Sequence, residues 1–141
     1  MGFDDLHREL VQRLGSLEQG SFLILGEPVP EPERSGLFGR KPKPPPTRYV
    51  QFLRDPRHLY GECVGSTWIG GDWEISEAEH DRLRMLGWLA PGDPDPAGTQ
   101  PAYPNYWVTV DEGRAADLAT MATGALSLLG ADPATLEWRT A

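Results

Sequence analysis

The chain has 141 residues, 39% of them hydrophobic and 24% charged, a balance that suits a globular domain and excludes wholesale disorder. Its formal net charge of −8 is the wrong sign for tight nucleic-acid binding or for an anionic membrane, and it fits solubility or a basic partner segment. A single cysteine, Cys63, excludes an intramolecular disulfide and fits a reducing compartment.

In chain order, Phe3, Leu6, Leu10, Leu14 and Leu17 recur at three and four residues and predict an amphipathic helix weakened after Gly15 and Gly20. Phe22-Leu23-Ile24-Leu25, stopped by Gly26, predicts a short strand. Glu27 to Thr47 holds seven prolines and ends in Lys41-Pro42-Lys43-Pro44-Pro45-Pro46; prolines remove backbone donors, so an exposed connection with polyproline II character is expected. Residues 48–54 predict a strand, closed by Asp55-Pro56. His58 to Ile69 predicts a further strand or pair of strands, with Gly61 and Gly65 as bulges, and a short-turn hairpin joins it to residues 48–54. Gly70-Gly71-Asp72 lacks the residues of a phosphate loop and predicts a hairpin turn.

Ser76 and Glu79 have the spacing of a capping box, and Gly87 followed by Trp88 has the form of a Schellman close, so a helix over residues 77–86 is expected. A second Pro/Gly stretch covers residues 90–104. Tyr106 to Val110 predicts a strand, and Asp111 is expected to cap a helix with Ala115, Leu118, Ala119, Ala122, Ala125, Leu126 and Leu129 on one face. Gly130 and Asp132-Pro133 end it, and Leu136-Glu137-Trp138 can add an edge strand. The expected architecture is α+β: one domain over residues 1–141, an antiparallel β-sheet with helices packed on one face.

No residues form a recognisable catalytic or metal-binding constellation. His58 and Glu62 share a strand face beside Cys63, but a metal site needs three or four ligands and only His80 remains as a distant imidazole. Cys63 lacks the electropositive setting of a nucleophile and reads as a small buried apolar group. Glu77, Glu79, His80 and Asp81 crowd a helix start, where acids complement the helix dipole. No cofactor or metal is therefore expected. The prolines and basic residues of 40–46 have the form of an SH3-type ligand, but such segments are more often plain linkers. Five tryptophans are many for this length. Exposed aromatics anchor interfaces, which makes Trp68, Trp73, Tyr103, Tyr106 and Trp107 the candidate partner-binding residues. The acidic N-terminus and the absence of a membrane-length apolar run give a cytoplasmic expectation, with no membrane partner.

Residues 48–138 resemble the TY-Chap group, which joins type III secretion chaperones such as CesT to YbjN-like proteins. The resemblance rests on Arg48-Tyr49-Val50-Gln51-Phe52, Leu59-Tyr60-Gly61-Glu62-Cys63-Val64-Gly65-Ser66, Leu83 to Pro91, Pro104-Asn105-Tyr106-Trp107, and the final helix followed by Leu136-Glu137-Trp138. It implies a non-enzymatic peptide- or protein-binding role, often as a homodimer, and carries no catalytic residues. The leading expectation is a chaperone-like adaptor for a basic, partly apolar peptide or protein segment. The alternatives are an immunity-type protein neutralising a basic toxin, and a small enzyme.

Overall fold

The computed structural model describes residues 2–29, 45–94 and 104–140. Helix α1 (Phe3–Ser16) leads into strand β1 (Phe22–Gly26); β2 (Tyr49–Arg54) and β3 (His58–Cys63) follow, then α2 (Glu77–Leu86), β4 (Tyr106–Asp111), α3 (Ala115–Leu128) and β5 (Glu137–Thr140). The five strands form one antiparallel sheet in the order β4-β3-β2-β1-β5. This is the expected α+β arrangement, with the C-terminal tail as an edge strand.

Strand alternation decides what lies inside. Register places Val50 opposite Cys63 and Cys63 opposite Tyr106, and these residues are buried with Phe52, Leu59 and Val110 on one face of the sheet. Helix α3 lies on that face, where its Leu118 packs against Gly61; α1 and α2 pack against α3. The leucines Leu6, Leu10 and Leu14 of α1 are buried at the expected spacing.

Both caps of α2 form as the sequence predicts. Ser76 Oγ accepts from Glu79 N at 3.1 Å, and a Glu79 carboxylate oxygen accepts from Ser76 N at 3.0 Å. Gly87 adopts φ 111°, a left-handed conformation that costs glycine little, and Trp88 N donates to Leu83 O at 3.2 Å. The Trp88 indole is then carried into the core, where its Nε1 donates to Met121 O at 3.1 Å.

Of the two readings of residues 58–69 the single strand holds, over His58–Cys63, followed by a 3-10 turn (Thr67–Ile69). Three local expectations are corrected. Gly61 is no bulge: the β2–β3 register runs through it unbroken, and an added Cβ would lie 2.9 Å from Leu118 Cδ1. Gly70-Gly71-Asp72 does not turn a hairpin but closes a loop in which Ser66 bridges Trp73 in parallel. Asp111 belongs to β4, paired with His58, and α3 starts only at Ala115 after a 3-10 turn at Glu112–Arg114. Most of the Pro-rich connection expected at 27–47, and most of that at 90–104, lies outside the described residues.

Candidate functional site

The chain leaving β3 cannot continue straight. The backbone of Gly65 lies against Pro104 and Asn105 so closely that an added Cβ would overlap the Pro104 carbonyl oxygen. Asn105 Oδ1 accepts from Gly65 N at 3.0 Å, and Asn105 Nδ2 donates to Tyr49 Oη at 3.1 Å, so one buried amide ties three segments together. The loop then closes on itself. Thr67 N donates to Trp73 O (2.9 Å), Gly71 N to Ser66 O (2.7 Å) and Trp73 N to Gly65 O (3.1 Å). With its main chain satisfied internally, the loop presents side chains outward.

Two of those side chains are Trp68 and Trp73, which line a groove of about 700 Å³ together with Glu74, Ile75 and Glu79. Pro46, Thr67 and Ser76 complete its rim. Ile75 is buried beneath it. Trp68 is 60% exposed, and its ring stands edge-on to His80 at 5.3 Å between centroids. His80 is fixed in turn, its Nδ1 2.7 Å from Tyr106 Oη. Trp73 has a different support: the Arg48 guanidinium lies 4.6 Å from its ring centroid.

Arg48 is held from three sides. Its Nε and Nη2 donate to the two carboxylate oxygens of Glu27 at 2.9 and 2.7 Å, and its Nη1 donates to Leu129 O at 2.9 Å. The hydrogen bond from Arg48 holds the Glu27 carboxyl below its ordinary range, and the same bond raises Arg48. The Arg48 charge is thus matched within the fold. Among the described residues, the groove lining carries the carboxylates of Glu74 and Glu79 and no lysine or arginine. Burial, reinforced by the nearby Cys63, pushes the Tyr106 phenol up to about 12, so it stays a neutral hydrogen-bonding support for His80.

Of the residues expected to bind a partner, the structure brings Trp68 and Trp73 to one groove. Tyr106 and Trp107 are 0% exposed, so they stand beneath the surface, on opposite faces of β4; Tyr103 lies outside the described residues. Sequence reasoning assigned Glu79 and His80 to capping and solubility, and it missed Glu27, Arg48, Glu74 and Ile75. The capping spacing was a usable signal for the position of Glu79. Nothing local links Arg48 to Trp73. Cys63 is fully buried, and desolvation raises its thiol to about 12, which suits a packing role. His58 faces Asp55 and Asp111, whereas Glu62 accepts from Gln51 Nε2 and Tyr60 Oη. Among the described residues no group of three or more His, Cys, Asp or Glu is placed to hold a metal ion, and no helix is long and apolar enough to cross a membrane.

No curated protein and no solved structure matches the chain. A family model does: the one described as "T3SS (YopN, CesT) and YbjN peptide-binding chaperone 3" spans residues 3–140, reaching from the first helix to the edge strand. With nearly the whole chain covered and an α+β fold of the expected kind, the protein belongs to the TY-Chap3 family of peptide-binding chaperones.

Proposed function

We propose that the protein is a non-enzymatic, cytoplasmic adaptor that binds a basic, partly apolar segment of a partner protein in the groove between Trp68 and Trp73. The observation that carries this reading is the pairing of two supported indoles with two carboxylates, Glu74 and Glu79, in a groove whose described lining holds no basic residue. Indoles supply apolar and cation-attracting surface, and carboxylates supply complementary charge. Membership of a peptide-binding chaperone family supports a segment of chain as the ligand. The net charge of −8 would steer such a partner during approach. The work is binding rather than turnover.

The test is capture of the partner from the native host, followed by association kinetics at low and high salt. The Debye length falls from about 10 Å at 0.1 M to about 3 Å at 1 M, so association should slow as salt rises while the aromatic contacts retain part of the affinity. A salt-independent on-rate would remove the electrostatic part of the reading, and specific turnover of a small molecule by purified protein would remove the whole.

A further inference from the structure

The groove at Trp68 and Trp73 differs from a strand-adding site in one respect: much of its main chain is already used. Thr67 N, Trp73 N and Trp73 O are bonded within the loop, Ile75 O accepts from Ser66 Oγ at 3.3 Å, and Ser76 N is taken by Glu79. A ligand cannot gain a ladder of backbone hydrogen bonds there, so side chains must recognise it. The ligand must also tolerate leaving its own backbone in water.

Polyproline II meets that condition. It has no internal hydrogen bonds, its backbone is solvated when free, and its preset φ limits the entropy lost on binding. Its flat pyrrolidine rings suit indole faces, and an indole N–H can donate to the carbonyls that such a helix turns outward. One proline, Pro46, is already part of the lining that holds the two indoles. Glu74 and Glu79 add what a purely apolar slot lacks: they select a cation beside the prolines.

Resting on the peptide-binding reading above, we propose that the occupant is a polyproline II segment with a lysine or arginine next to its prolines. Proline sits against Trp68 and Trp73, and the cation is read by Glu74 and Glu79. The support behind each indole, His80 with Tyr106 for Trp68 and Arg48 with Glu27 for Trp73, keeps the two walls in place before the ligand arrives.

Fluorescence anisotropy of three labelled peptides against the full chain tests this. One carries alternating lysine and proline, the second has alanine for every proline, and the third has glutamate for every lysine. The first should bind about tenfold or more tighter than either of the others, and Trp68→Ala and Glu74→Gln should each weaken it by about tenfold. Trp68 is largely exposed, so its variant should keep the parent's circular dichroism and unfolding midpoint; Glu74→Gln provides a second variant if it does not. Equal binding of the alanine peptide would overturn the polyproline assignment and leave the basic-segment reading standing. Equal binding of the glutamate peptide would overturn both. Binding of the first peptide that neither variant weakens would place its site elsewhere and overturn the proposal.

Discussion

The loop from Gly65 to Ser76 and the helix close at Leu86–Trp88 treat an indole in opposite ways, the one at Trp68 and the other at Trp88. Trp88 follows a left-handed glycine that reverses the chain onto the sheet, and its one polar atom finds the Met121 carbonyl, so the whole ring can be buried. Trp68 sits on a 3-10 turn whose backbone is closed upon itself, and its ring is left leaning on His80 at the surface. Burial of a large amphipathic ring therefore depends on a partner for its N–H and on a turn that aims it inward, more than on the ring's own hydrophobicity. Trp107 is the exception, for its buried Nε1 has no hydrogen-bond partner among the described residues.

That contrast can be broken most severely at Trp88. Trp88→Ala should lower stability by about 3–5 kcal/mol, the ordinary cost of deleting a large core aromatic, read from the urea unfolding midpoint. A loss below about 1 kcal/mol would mean that the ring is not packed as described. Gly65→Ala attacks the loop at its anchor, where the new Cβ meets the Pro104 carbonyl; a loss of about 1–3 kcal/mol is expected, and peptide binding should fall with it because the Trp68 loop must shift. Ser76→Ala removes half of the capping box and should cost about 0.5–2 kcal/mol by the same denaturant measurement.

Acid gives a gentler probe of the Trp73 wall. The Glu27 carboxyl lies below its ordinary value in the fold, so the stability it contributes is present above that ordinary value and is lost as pH falls through the lower, folded one. The unfolding midpoints of the parent protein and Glu27→Gln should differ at neutral pH and converge below about pH 4. A gap that persists unchanged into acid would show that the carboxylate charge is not what holds Arg48. The smallest stability effect belongs to Trp68→Ala, expected within about 0.5 kcal/mol of the parent by denaturant titration, although binding should be hit hardest there. A large stability loss would place Trp68 in the core and remove the distinction between the two indoles.

The legible parts of this chain are those decided within a few residues. Ser76, Glu79 and Gly87 specify both ends of α2 by local hydrogen bonding, and the leucine spacing of α1 names its buried face. Misreadings occur where a distant segment decides. Asp111 has the chemistry of a cap, but pairing with His58 draws it into β4, and Glu112 N then donates to Arg57 O, delaying the helix. Gly65 looks like a bulge and is in fact a point of contact with residues forty positions later. The site follows the same rule: an excess of tryptophan signalled an aromatic surface, but the choice of Trp68 and Trp73 over Tyr106 and Trp107 is made by strand register and loop closure. Arg48 stacks on a ring twenty-five residues away through a contact that no spacing announces.

The clasp between Glu27 and Arg48 has a consequence for how freely this sequence can change. It joins the two ends of the proline-rich connection by an ion pair and two main-chain donations, Glu27 N to Arg48 O and Arg48 N to the Glu27 carboxylate, right where Gly26 pairs with Tyr49. The two ends are thus held to each other by their own contacts. Closure entropy grows only slowly with length, about 0.6 kcal/mol for each doubling, so a change in the number of residues between the clasp points should cost folding little. The position is a natural exchange site: a reporter peptide or foreign segment inserted there should leave β1, β2 and the tryptophan groove in register, whereas the same insertion between β2 and β3 would not.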